Sequence, residues 1–137
     1  MCYTKSNMEL PILLLALVGF GVSFYLFDHR NLKKPHGAMS SECVHTMQSP
    51  YAHLWYIHTS IWGMISFGFL FFAATLSGVS TGVMRETFGI VALILTVFNA
   101  VISLLLLTVL LTIVKRYCVW CYLIHALSFA IFILAII

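Results

Sequence analysis

Four long stretches of the chain contain no charged side chain and are almost wholly apolar. They cover residues 10–27, 54–77, 88–114 and 117–137. Each is close to the roughly 20 residues that an α-helix needs to cross about 30 Å of hydrocarbon. The pattern predicts an all-α membrane protein, in which a four-transmembrane-helix bundle forms a single domain over residues 1–137.

Two of the three connections between these stretches are short. Residues 78–87 contain two glycines and the charged pair Arg85 and Glu86, and are predicted to form a turn. The last connection consists of little more than Lys115 and Arg116. The fourth transmembrane helix is therefore predicted to begin at or near Cys118.

The first connection is much longer, with roughly 25 residues from Asp28 to about His53. Long loops of this kind are often functional. Residues 40–48 within it predict a short helix, capped by Ser40 or Ser41. Such a helix could lie in the plane of the membrane interface as a lid.

Composition agrees with a chain that is solvated by lipid. Hydrophobic residues make up 62% and charged residues 8%, whereas about 25% of a typical globular protein is charged. The net charge of +3 comes from few residues and forms no basic stripe. Nucleic-acid binding therefore has little support, and membrane lipid is the expected surrounding.

The basic residues are divided unevenly between the two sides of the predicted bundle. The side of the N-terminus carries Lys5 and Arg85, and the side of the long loop carries five basic residues: Arg30, Lys33, Lys34, Lys115 and Arg116. The positive-inside rule favours a cytoplasmic position for the long loop. Because the counts are small, the outward orientation stays a nearly equal alternative.

The strongest chemical signal is the pair Cys118-Val119-Trp120-Cys121 at the start of the fourth span. Two cysteines at this spacing can form a disulfide or share a metal. The positive end of a helix and the two preceding cations stabilise a thiolate, which favours redox chemistry. Metal binding and simple packing of small apolar side chains are the alternatives.

Cys43 lies in the long loop, on the same side of the membrane as the pair. A loop that brings a thiol to a disulfide is the arrangement that thiol–disulfide exchange requires. Cys2 should lie across the bilayer and is predicted to be a bystander. The loop histidines match no compact set of metal ligands, so no metal ligand is assigned; they are His29, His36, His45, His53 and His58.

The long loop resembles the signature of the vitamin K epoxide reductase family. In residues 43–54, CVHTMQSPYAHL, a Cys is followed six residues later by Ser and eight later by Tyr. With the Cys118-x-x-Cys121 pair and four spans, the resemblance covers most of the chain. It implies a helical bundle around a quinone of the menaquinone, ubiquinone or vitamin K type, and a thioredoxin-like partner or other substrate thiols.

The resemblance also implies a role for each matching residue. Cys121 would face the quinone, Cys118 would be its disulfide partner, and Cys43 would be the loop thiol that attacks Cys118. Ser49 would match the loop Ser of the family. Two features depart from the family pattern: no second cysteine precedes Cys43 in residues 35–42, and family members tend to carry Gly and Pro at positions 56 and 58.

Two polar residues within the spans are candidates for contacts with the quinone. His125 lies four residues after Cys121 on the same helix face, and Asn99 lies in the middle of the third span. Polar groups at that depth are costly unless they face the bundle interior. His125 is predicted to bind quinone or transfer protons. For Asn99, a structural hydrogen bond between helices is an equal alternative.

The leading hypothesis is a quinone-dependent thiol oxidoreductase that supports disulfide formation. Electrons would pass from protein thiols through Cys43 and the Cys118–Cys121 pair to the quinone, because quinones are generally better oxidants than dithiols. The first alternative is a metal-handling membrane protein that uses Cys and His ligands. The second is a structural subunit in which the cysteines are incidental.

Overall fold

A computed structural model describes residues 3–31, 37, 39–54, 56–115 and 117–137. Its five α-helices are α1 (Tyr3–Asp28), α2 (Ser41–Gln48), α3 (Thr59–Val79), α4 (Val83–Val109) and α5 (Val119–Ile136). A 3₁₀ turn (Pro50–Ala52) and the antiparallel strands β1 (His53–Leu54) and β2 (Ile57–His58) connect α2 to α3. A π-helical turn (Leu110–Val114) ends α4.

Helices α1, α3, α4 and α5 are long and apolar enough to cross a membrane. The all-α fold with four spans is thus confirmed. The main helix contacts join α1 with α3, α3 with α4, α4 with α5, and α5 with α1. Each spanning helix therefore lies beside two others, and the four close a ring around a shared interior.

Two of the spanning helices begin at other residues than the predicted spans. The second span begins at Thr59 rather than near Leu54, because residues 53–58 pair as the strands β1 and β2. The third span begins at Val83, so Arg85 lies at the start of α4 instead of in a turn. Its guanidinium donates to the Glu9 carboxylate over 3.1 Å and joins α4 to α1 at that end.

Very close packing joins α1 to α3 in the middle of the bundle. A Cβ added at Gly19 would lie 2.6 Å from the ring of Phe67, and one added at Gly63 would lie 2.6 Å from the Ser23 hydroxyl. Small residues at helix interfaces allow backbones to approach closely in membranes. The pairing of Gly19 with Phe67 and of Ser23 with Gly63 therefore sets the distance between α1 and α3.

The predicted lid helix is present and is capped by Ser40, whose hydroxyl accepts the Cys43 N–H over 3.3 Å. Its buried residues are Cys43, Val44, Thr46 and Met47, whereas His45 is exposed. This helix packs against α5. Because Cys43 lies on the buried face, α2 covers the end of the bundle at which α5 begins.

Candidate redox site

Three thiols lie in a row beneath the lid helix. The Sγ atoms of Cys118 and Cys121 are 2.7 Å apart. The Cys43 thiol is also hydrogen-bonded to Cys118. All three cysteines are free thiols. The structure therefore brings together the three predicted catalytic residues, with Cys118 in the middle.

The turn before α5 places Cys118 at the head of that helix. Lys115 adopts the left-handed conformation, with φ +50° and ψ +40°, and its N–H bonds to the Leu110 carbonyl over 2.9 Å. Cys118 is extended and is the N-cap of α5, where its sulfur accepts the Cys121 N–H over 3.4 Å. The predicted start of the fourth helix at or near Cys118 is confirmed.

The electrostatics differ from the sequence prediction of a stabilised thiolate. The contact with the Cys121 thiol, together with burial, raises the pKa of Cys118. Burial, followed by the hydrogen bond with Cys118, also raises the pKa of Cys43. Because the charged form loses its solvation in such surroundings, both groups are held as neutral thiols while the lid covers them.

Apolar side chains surround this row of thiols. Cys43 is 1% exposed and Cys118 is fully buried, in a cluster with Val22, Leu26 and Met47. Tyr25 of α1 packs on Trp120, the residue before Cys121, with ring centroids 4.9 Å apart. Water and large molecules are therefore excluded from Cys118 in this conformation.

A cavity of about 980 Å³, its open mouth included, lies next to the thiols inside the bundle. Cys121 lines the cavity, whereas Cys43 and Cys118 do not. His125, Asn99 and Ser49, the three residues predicted to contact a quinone, line it as well.

The polar atoms of His125 and Asn99 differ in their hydrogen bonding. The Nδ1 atom of His125 is buried and has no hydrogen-bond partner among the described residues. Asn99 Nδ2 donates to the Ser128 hydroxyl over 3.1 Å, which joins α4 to α5. This bond supports the alternative that Asn99 makes a structural hydrogen bond between helices. Contact with a quinone stays a prediction for both residues.

Ser49 ends the lid helix, and its hydroxyl donates to the Thr46 carbonyl over 2.8 Å. Its position on the cavity wall joins the lid to the predicted quinone site. Sequence reasoning missed several other polar residues of the wall: Thr59, Ser60, Ser66 and Ser103. Spacing was an available signal, because Ser103 follows Asn99 by one helical turn.

The described residues contain no group of three or more His, Cys, Asp or Glu side chains that could hold a metal ion. His29 bonds the Tyr25 carbonyl over 2.9 Å, and His58 bonds the Met47 carbonyl over 3.1 Å. His36 lies outside the described residues. No observation therefore supports the metal-handling alternative.

The sequence model of the vitamin K epoxide reductase family matches residues 10–136, nearly the whole chain. The chain belongs to this family. No curated protein matches it. Family membership and the four apolar helices make it an integral, multi-pass membrane oxidoreductase, of a family that links thiols to quinones.

In this member of the vitamin K epoxide reductase family, the backbone at positions 56 and 58 has the conformations that glycine and proline favour. Tyr56 has φ +65°, the left-handed region that favours glycine, and its side chain is fully exposed. His58 has φ −60°, close to the value of about −65° that a proline imposes. The local conformation thus fits the Gly and Pro of other members, although the side chains differ.

Proposed function

We propose that this protein oxidises thiols of a protein partner and passes the electrons to a membrane quinone through Cys43, Cys118 and Cys121. The observation that carries the proposal is the order of the thiols, from the lid through Cys118 to the one sulfur that lines the cavity. Each neighbouring pair is in contact, so exchange among these three thiols needs only small movements of side chains.

The cavity suits a quinone because it combines apolar walls with few polar groups. His125 Nδ1, buried and without a described partner, fits one of the two carbonyl oxygens of such a ring. When bound, the quinone takes up two electrons and two protons. In this proposal His125 supplies a proton, and Asn99 binds the other carbonyl of the ring.

Electron transfer through the thiols balances at every step. Reduction of the quinone converts the Cys118 and Cys121 thiols to a disulfide. The thiolate of Cys43 then attacks Cys118, which forms a Cys43–Cys118 disulfide and releases Cys121. A thiol of the partner attacks Cys43 and frees Cys118. The second thiol of the partner then releases Cys43, and the partner leaves as a disulfide.

The fitting partner is a thioredoxin-like protein or another substrate with two thiols. Two thiols are needed because residues 35–42 hold no second loop cysteine to resolve the mixed disulfide. The five-to-two division of basic residues supports a cytoplasmic position for this end of the bundle. The opposite orientation stays the alternative.

Stopped-flow measurements of quinone absorbance test this route in Cys43→Ser. The reduced variant should still reduce about one quinone per protein, because Cys118 and Cys121 are intact. Repeated turnover with a protein dithiol should fall about 100-fold or more, because Cys43 is the point of entry. Cys2→Ser is the matched control and should behave as wild type. Full repeated turnover in Cys43→Ser would contradict the proposal.

Two variants distinguish the two interpretations of Asn99. In Ser128→Ala the bond between α4 and α5 is lost, but the Asn99 amide remains at the cavity. If Asn99 contacts the quinone, Asn99→Ala should raise the KM for quinone about tenfold, whereas Ser128→Ala should change it about twofold or less. Equal effects in the two variants would show that Asn99 acts only through its bond to Ser128.

A further inference from the structure

His58 connects the lid helix to the start of α3 through both of its ring nitrogens. The Nε2 atom bonds the Met47 carbonyl near the end of α2 over 3.1 Å. The Nδ1 atom accepts the Ser60 N–H over 3.2 Å and lies 2.6 Å from the Ser60 hydroxyl. The residue is 8% exposed and is the N-cap of α3. One side chain therefore joins the lid to a transmembrane helix.

These bonds fix the protonation state of the ring. Because Nδ1 accepts a backbone N–H, the proton of the neutral ring lies on Nε2, from which it is donated to Met47. Protonation of Nδ1 would remove the acceptor of the Ser60 N–H. It would also place a cation at the positive end of α3, which is unfavourable.

The lid must open during the cycle that is proposed above. Cys43 is 1% exposed, and a protein partner cannot attack a sulfur that it cannot reach. Met47 follows Cys43 by one helical turn on the same buried face of α2. A bond that holds Met47 therefore also holds Cys43 against Cys118.

We propose that His58 is a positioning residue that latches α2 over Cys118, and that its release exposes Cys43 to the thiol partner. The proposal rests on the function proposed above in one respect, namely that Cys43 is the sulfur that the partner attacks. The latch itself is a property of the lid and can be measured without quinone.

The surroundings of His58 set the direction of its pH dependence. Burial lowers its pKa, the bond to the Met47 carbonyl opposes this in part, and His53 of β1 and Arg30 after α1 lower the pKa further, so the net shift is downward. The ring of His53 meets it edge-on at 5.1 Å. Helices α2 and α3 face it with the Met47 carbonyl and with Ser60. The closed lid favours neutral His58, so its stability is complete above about pH 6.5 and is lost as the pH falls below that value.

The test is the rate at which a maleimide modifies Cys43 in the reduced, full-length protein in lipid nanodiscs, read by peptide mass spectrometry. At about pH 7.5, His58→Ala should be modified about tenfold faster than wild type, because the bond to Met47 is lost. His58→Gln keeps an N–H donor and should restore slow modification. His45→Ala, at an exposed position of α2, is the matched control and should resemble wild type.

The pH profile separates a latch from a general loss of structure. Between about pH 7.5 and pH 5, the rate of wild type relative to His58→Gln should rise, because glutamine does not titrate in this range. If His58→Ala unfolds, the comparison of wild type with His58→Gln across pH still tests the latch. A flat ratio, or fast modification of His58→Gln at about pH 7.5, would overturn the latch. Loss of quinone reduction with a normal labelling profile would instead count against the proposed function alone.

Discussion

Replacing Cys121 by serine should abolish quinone reduction, both in a single turnover of the reduced protein and in repeated turnover with a dithiol. Cys121 is the sulfur of the three that lines the cavity, and it lies 2.7 Å from Cys118. A hydroxyl cannot form the disulfide that supplies the two electrons. The expected loss is about 100-fold or more, measured as quinone absorbance with time.

Two comparisons make the Cys121 result specific. Cys2→Ser should retain the activity of wild type. Cys43→Ser should lose repeated turnover but keep the first turnover, so the two site variants differ in the single-turnover experiment. If Cys121→Ser still reduced one quinone per protein, another group would have to donate the electrons, and the proposed route would be wrong.

Replacing Gly19 by alanine should markedly lower the stability of the bundle. The added Cβ would lie 2.6–2.8 Å from three ring atoms of Phe67, and that ring is fully buried. Overpacking of this kind typically costs about 1–3 kcal/mol. Phe67 also lines the cavity, so a displaced ring should weaken quinone binding as well. Unfolding in mixed detergent micelles measures the free energy.

Gly21→Ala is the matched control, because it makes the same chemical change on the same helix. Nothing lies within 4 Å of a Cβ added at Gly21. Alanine is favoured over glycine within helices by about 0.5–1 kcal/mol, so this variant should be as stable as wild type or slightly more stable. Equal stabilities of Gly19→Ala and Gly21→Ala would show that the contact between α1 and Phe67 does not limit the packing.

The contrast between Cys118 and the predicted thiolate shows how tertiary contacts override a local signal. The helix start and the neighbouring cations are local features and favour the charged form. Burial beneath α2 and the contact with Cys121 act in the opposite direction and raise the pKa. The contact with Cys121 lies within the same motif, but the burial depends on a lid that is separated from Cys118 by about 70 residues, so the sequence cannot report it.

The position of a polar residue within a span predicts that its side chain faces the bundle interior, but it does not predict the partner of that side chain. A polar side chain at mid-span has to face the interior, and both Asn99 and His125 do line the cavity. Their partners were not predictable, because Ser128 lies on another helix and the orphan Nδ1 of His125 depends on what surrounds it.

The sequence by itself determined the four spans, the capped lid helix and the start of α5 at Cys118, because charge-free length and helix caps are local properties of the chain. Only the tertiary structure decided that α2 lies over Cys118, that Cys121 alone of the three thiols lines the cavity, and that His58 bonds to Met47. These relations depend on how helices pack against one another. Such packing is set by close contacts, such as that of Gly19 with Phe67, between residues far apart in the chain.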